Sequence, residues 1–156
     1  MVEEKDGAKF PRVGVATLIR HDGKILLGRR KNISGSGKWG AVGGRLEFME
    51  ELEDCAEREI WEEVGISTTK PQFAIISNDI FKDESRHYIT AFFVCDYLSG
   101  EVENKEPDKL YGWDWFSWDR LPDELYEPVK NLKETGFNPF SFIPVLFSKN
   151  RQNHKE

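Results

Sequence analysis

Residues 44–66 read GRLEFMEELEDCAEREIWEEVGI, and within them Glu59, Glu62 and Glu63 crowd onto barely more than one turn of an expected helix. Side chains three and four apart on a helix share a face, so these carboxylates converge on one small volume. Like charges held that close repel, and a divalent cation bound by carboxylate oxygens is the usual compensation. The segment therefore points to a metal site suited to phosphates.

Helical geometry sharpens the point. At about 100° per residue, Cys55, Leu52, Ala56, Ile60 and Val64 fall near 300°, 0°, 40°, 80° and 120°, forming one apolar stripe. Glu59 and Glu63 fall near 340° and 20°, inside that stripe, whereas a solvated acidic face would lie opposite it. Buried carboxylates need partners or a metal. Glu51, Glu53, Asp54 and Glu57 read as solvated charges near a helix start, where negative charge is favoured.

Working outward, Val13–Arg20 and Lys24–Arg30 read as strands, and Asp22-Gly23 between them is a tight-turn signal, so a hairpin is expected. The glycine-rich stretch 31–44 reads as a loop with a short strand near Trp39–Val42. The helix is expected over Leu52–Val64, ended by Gly65. Pro71–Lys82 and Arg86–Tyr97 carry apolar residues on both faces, as strands of a covered sheet do, with a turn at Asp83-Glu84-Ser85. Trp113–Trp118 reads as a last strand, and the second half of Asp119–Thr135 as a helix stopped by Gly136. These elements predict an α/β fold, a mixed central sheet with helices on both faces. One domain is expected over 1–156, with an ordered core of about 11–146 and fraying from Lys149 onward.

Net charge is −6, from 28 acidic against 22 basic residues, which argues against binding a nucleic-acid polymer. A small polyphosphate remains compatible, because a metal ion can bridge acidic protein and acidic ligand. No run approaches the ~18 apolar residues of a membrane span, and the first residues lack the apolar stretch of a secretory signal. Cys55 and Cys95 lack zinc-ligand spacing and read as buried thiols, which fits a cytoplasmic setting. His21, His87 and His154 show no metal or triad spacing and read as turn, strand and tail residues. No P-loop or G-x-S-x-G elbow is present.

Gly44, five residues, Glu50, seven residues, Arg58-Glu59-Ile60, one residue, Glu62-Glu63, one residue and Gly65-Ile66 together spell a complete Nudix box. The chain thus resembles the Nudix hydrolases, which cleave nucleoside diphosphates linked to another group. From about Pro11 to Phe140 it is similar to the MutT-type nucleoside-triphosphate diphosphatases, especially their plant and animal cytosolic branch. LLGRR at 26–30, GRLEF at 44–48, EPDK at 106–109, WDWFSWDRLP at 113–122 and LKETGFNPF at 132–140 carry that similarity.

The resemblance implies the Nudix α/β/α sandwich and Mg²⁺ as cofactor, with Mn²⁺ able to substitute. It implies a small-molecule nucleotide substrate, and it allows a homodimer. Glu59 and Glu63 would be direct metal ligands with the carbonyl of Gly44, and Glu62 would complete the water-activating set. Glu59 is named first as general base and Glu62 second. Arg58 would pair with Glu50 in a structural role, and Gly65 would close the helix. Glu106 is either a further metal ligand or a solvated loop charge; Arg30 meets a phosphate oxygen or the solvent. Trp39, Thr90 and Tyr126, with Val129 as an apolar wall, are expected to form the base pocket. Trp113, Trp115 and Trp118 are assigned mainly to the core.

The loop Trp39-Gly40-Ala41-Val42-Gly43-Gly44 departs from the family pattern, which commonly has proline before the double glycine and a bulkier residue near position 40. Gly40 has no side chain to read a base edge, so weak base selectivity is expected. The leading activity is cleavage of nucleoside triphosphates, oxidised or modified ones included, to monophosphate and pyrophosphate. A nucleoside diphosphate conjugate or a prenyl diphosphate would be the alternative substrate. A non-catalytic nucleotide-binding module is the remaining alternative, although such modules usually lose box glutamates that are all present here.

Overall fold

The structure, a computed structural model, describes residues 9–144. The fraying tail, His154, the last residues of the expected core and the start of the chain lie outside the described residues. Two strands, β1 (Arg12–His21) and β2 (Lys24–Arg30), form the expected hairpin. Asp22 and Gly23 both adopt positive φ, 49° and 73°, the geometry a two-residue turn needs. The glycine-rich loop holds two short strands, β3 (Trp39–Gly40) and β4 (Val42–Arg45), broken at Ala41. Helix α1 spans Leu52–Glu63, and Gly65 leaves it with φ 65°.

A two-residue strand, β5 (Ser67–Thr68), precedes β6 (Gln72–Phe81) and β7 (Arg86–Ser99). The last strand, β8 (Leu110–Ser117), starts three residues before its predicted position, and helix α2 covers Glu127–Glu134. The sheet is mixed, as expected. β1 runs parallel to β7 from Arg12↔Tyr88 to Arg20↔Asp96. On its other side β1 pairs antiparallel first with β4, Gly14↔Arg45 to Thr17↔Val42, and then with β2 at Arg20↔Ile25. β2 carries β3 and β8 onward, and β7 carries β5 and β6.

Because β1 changes partner midway, the sheet splays, and α1 and α2 pack into opposite sides of it. Val15, Ala91 and Phe93 cluster with Cys55 and Ala56 of α1, while Ile19 and Cys95 cluster with Ile60 and Val64. Ala16, Leu18, Phe92 and Val94 instead meet Val129 and Leu132 of α2. The unbroken apolar runs of β1 and β7 follow from this two-sided burial. Both cysteines are free and buried, and burial raises each thiol to about 12.

β6 departs from the covered-strand expectation. It is an edge strand: Ser77, Asp79 and Phe81 are buried, whereas Ile76 and Ile80 are 58% and 52% exposed. Its second face is open at Ile76 and Ile80. Among the described residues no helix is long and apolar enough to cross a membrane.

One close approach anchors the loop to the sheet. Gly43 lies so near the β1 backbone that a Cβ there would run into the Val15 carbonyl and the Ala16 Cα. Gly43→Ala is therefore expected to pry β4 from β1 and lower stability by about 1–3 kcal/mol, as other overpacked sites do. Urea denaturation measures this; a variant as stable as the parent would show that the β1–β4 contact has slack.

Candidate active site

Gly44 pairs with Val15 at the end of β4, directly beneath α1. A side chain at Gly44 would collide with the Glu59 carboxylate, so a bare Cα is what lets that carboxylate settle there. Arg58 holds it in place. Its Nε and Nη2 donate to the two oxygens of Glu50 at 2.8 and 3.0 Å, and Nη1 donates to Glu59 Oε1 at 2.8 Å. Nη1 also reaches Glu62 at 3.3 Å, and Nη2 the Arg45 carbonyl at 3.2 Å. The fork-to-fork pairing of Arg58 and Glu50 thus braces the loop against the helix. It holds the Glu50 carboxyl down to about 2.

The three box glutamates differ in environment. The Glu62 side chain is half exposed, whereas that of Glu59 is only 12% exposed. Glu63 is enclosed and accepts a hydrogen bond from the Gly43 amide at 3.1 Å. Burial pushes the Glu63 carboxyl well above its ordinary range, and the charges of Glu59 and Glu106 push further. Burial also raises Glu59, with Arg58 opposing and Glu62 and Glu106 adding to the rise. Glu106, on the loop before β8, is thus electrostatically coupled to both helix glutamates and lines the same cavity.

Glu59, Glu63, Glu106 and the Gly44 carbonyl offer only oxygen donors, the set that suits Mg²⁺ or Mn²⁺ rather than zinc. Among the described residues no three His, Cys, Asp or Glu side chains are already drawn into a cage. Glu59 is turned onto Arg58, and Glu63 onto the Gly43 amide, which is where repelling carboxylates relax. The donor chemistry and the accumulated negative charge fit a divalent cation.

The carboxylates form one end of a cavity of about 570 Å³ that runs from α1 to α2. Its floor is bare at Gly14: a methyl built there would lie 3.6 Å from Thr90 Oγ1 and 3.7 Å from the Gly44 carbonyl oxygen. Arg30 also lines the cavity, so it is not a plain surface arginine. It stacks 3.8 Å from the centre of the Tyr126 ring and donates to the Ser34 carbonyl at 2.6 Å. Burial lowers its pKa, while Tyr126 and Glu63 hold the charge on. Tyr126, Val129, Phe81, Tyr88 and Thr90 complete the far end. Ser34 donates to Glu84 at 2.9 Å, linking the glycine-rich loop to the β6–β7 turn.

One aromatic assignment changes and another gains a second role. Trp39 does not line the cavity; it packs edge-on to Phe116, 4.8 Å between ring centres, beside the α2 core. Strand alternation is the reason, since Gly40, the next residue of β3, takes the cavity side. Trp113 packs against the core as expected and is also part of the cavity wall. Its ring lies flat on Gly28, its partner across β2 and β8, where any side chain would clash.

Sequence reasoning also missed Arg86, Tyr88 and Asp79. Arg86 lies between Phe81 and Tyr88, 5.2 and 5.4 Å from their ring centres. Arg86 Nε and Trp113 Nε1 are buried without a hydrogen-bond partner, and both residues line this cavity. Orphaned buried donors are rare, and Arg86 is otherwise tied through Nη1 to Glu84 at 3.1 Å. An arginine beginning an aromatic-rich strand was the only local signal for Arg86. Gly65 does close α1, its amide donating to the Ile60 carbonyl at 3.1 Å.

A bank of half-buried carboxylates facing a cavity of arginines and aromatics defines a phosphoric-anhydride hydrolase. Residues 8–144 match the NUDIX domain, and the chain belongs to that family, as a MutT-type hydrolase. A MutT Nudix hydrolase from Burkholderia pseudomallei has a similar structure: TM-score 0.74, 32% identity, 80% of this chain and 98% of that one. An ADP-ribose pyrophosphatase of Methanocaldococcus jannaschii is 29% identical over 86% of this chain and 81% of its own. An oxidized purine nucleoside triphosphate hydrolase of Mus musculus is 30% identical over 84% of this chain and 86% of its own.

The Arg58 brace has a pH signature. Because Glu50 is held near 2 when folded against ~4.3 unfolded, its contribution is complete above the unfolded value and disappears as pH falls toward 2. Glu50→Gln is expected to destabilise the protein at pH 7, with the gap from wild type narrowing steadily below about pH 4.3. Denaturation midpoints across that range test it; a pH-independent gap would sink the idea.

Proposed function

We propose that this enzyme is a divalent-metal-dependent pyrophosphohydrolase of nucleoside triphosphates, oxidised or modified ones included, releasing monophosphate and pyrophosphate. One observation carries this: a single cavity joins the carboxylate bank to Tyr126, Tyr88 and Thr90, with Arg30 and Arg86 along it. Gly44, Glu59 and Glu63 would hold Mg²⁺, with Glu106 reaching in from its loop. When bound, the cation lowers the pKa of water and screens phosphate charge. Arg30 and Arg86 steady phosphate oxygens, and Tyr126 and Tyr88 offer ring faces to a base.

Glu59 stands first as the group that takes a proton from attacking water, and Glu62 second. Arg58 orients both through its shared Nη1. Because Thr90 of the nucleoside end and the Gly44 carbonyl of the carboxylate end flank the same bare floor at Gly14, the phosphorus attacked is one near the nucleoside, and the α–β bond opens. The mouse relative, an oxidized purine nucleoside triphosphate hydrolase that aligns over most of the same length, supports this substrate class. The archaeal ADP-ribose pyrophosphatase favours a second reading, a nucleoside diphosphate conjugate opened by the same residues. A cytoplasmic single-domain enzyme, with or without a dimer partner, fits either.

Incubating deoxynucleoside triphosphates with enzyme and Mg²⁺, then separating products by ion exchange, is expected to give monophosphate and pyrophosphate. Diphosphate with orthophosphate would exclude α–β cleavage, and turnover of ADP-ribose alone would move the assignment to the conjugate. Glu63→Gln is expected to lower kcat at least about a hundredfold, as loss of one key electrostatic group does. Metal-free thermal stability should be unchanged or raised, since a charge disfavoured by burial and by Glu59 is gone. Wild-type turnover in Glu63→Gln would remove Glu63 from the metal site.

A further inference from the structure

Beneath the nucleoside end of the cavity lies a carboxylate that the chemistry above does not use. Asp79, on β6, is 0% exposed and is bonded on both oxygens. Thr90 Oγ1 donates to Oδ2 at 2.5 Å, Ser77 Oγ donates to the same oxygen at 2.9 Å, and Asn131 Nδ2 of α2 donates to Oδ1 at 2.8 Å. A threonine hydroxyl has one proton and two lone pairs. With that proton spent on Asp79, Thr90 faces the cavity with lone pairs only.

We infer that Asp79 is a positioning residue that makes Thr90 an obligate acceptor, so that the cavity selects a nucleoside presenting a hydrogen-bond donor to Thr90 Oγ1. The inference rests on the nucleotide reading above. Three kinds of donor on a nucleoside meet the description, an exocyclic amino group, a ring N–H of the base and a sugar hydroxyl. A carbonyl brought to the same point meets oxygen with oxygen. Hydrogen bonds in series polarise one another, so the bond to Asp79 strengthens Thr90 as acceptor. Thr90 remains bonded when its cavity side is unmet, so the discrimination is that of one ordinary hydrogen bond, about three- to tenfold. This modest size agrees with a loop that has only Gly40 where a reading side chain would sit.

The test measures dissociation constants by titration calorimetry in Mg²⁺ for nucleoside monophosphates taken in pairs. Adenosine against purine riboside and guanosine against inosine vary the base amino group, inosine against purine riboside varies the ring N–H, and ribose against 2′-deoxyribose varies the sugar hydroxyl. Wild type is expected to bind the donor-bearing member about three- to tenfold tighter in one of these arms, and the arm identifies the donor. Thr90→Val should bring that ratio to one, Thr90→Ser should restore it, and Asp79→Asn, whose amide can donate to Thr90 and turn its proton into the cavity, should reverse it. If Asp79→Asn does not fold, the valine and serine variants decide the matter. Ratios of one throughout in wild type, a ratio that survives in Thr90→Val, or absence of any nucleotide binding would each overturn the inference. Triphosphate turnover is assayed separately, so a protein that binds these pairs selectively yet hydrolyses no triphosphate would refute the proposed substrate and leave the role of Thr90 standing.

Discussion

Two carboxylates held side by side in a half-buried setting dominate this molecule. Glu59 and Glu63 sit on one face of α1, each made less comfortable by burial and by neighbouring carboxylates, Glu62 and Glu106 for the first, Glu59 and Glu106 for the second. Helix propensity cannot hold them there, and the surroundings show what does. Arg58 supplies positive charge to Glu59 and is itself tied to Glu50, the Gly43 amide supports Glu63, and the absent side chain of Gly44 leaves room for Glu59. Remove the charge from that bank and the surrounding glycines, arginine and second glutamate lose their reason for being adjacent.

The sheet converts this local cluster into a site. β1 spends its first half beside β4 and its end beside β2, so the strands on that side diverge while β7 follows β1 throughout. The divergence opens a cavity whose walls approach closely only where glycine stands. Gly14 bares the floor between Thr90 and the Gly44 carbonyl, and Gly28 lets the Trp113 ring lie on backbone. The charge gradient follows the same line, with Glu59, Glu63 and Glu106 at one end and Arg30 and Arg86 along the path. A phosphate chain joined to a planar base matches that sequence of surfaces.

Fold and chemistry share residues here, which is costly in a small domain. Asp79 illustrates it: the same carboxylate ties β6 and β7 to α2 through Ser77, Thr90 and Asn131 and sets the polarity of one point in the cavity. Arg58 is likewise both a brace for the β4–α1 loop and the partner of Glu59 at the cavity's acidic end.

What lay open in the sequence was local. The Asp22-Gly23 turn, the 52–63 helix with its glutamates three and four apart and the Gly65 stop all depend on residues within a few positions of each other. Glu50 and Arg58, eight apart, were still legible because the box spacing is itself a local pattern. The brief β5 carried too few residues to show a period. The rest was decided by pairing between distant segments. Which face of β3 looks into the cavity depends on its register against β2, Gly28↔Gly40, and this places Gly40 rather than Trp39 on the substrate side. The same β2 position paired with β8 brings Trp113 onto Gly28. The open face of β6 follows from its place at the sheet edge, and the bond from Asn131 to Asp79 spans 52 residues. Side-chain period on a strand is two, so composition alone gives two faces and cannot say which is which; only the assembled sheet does.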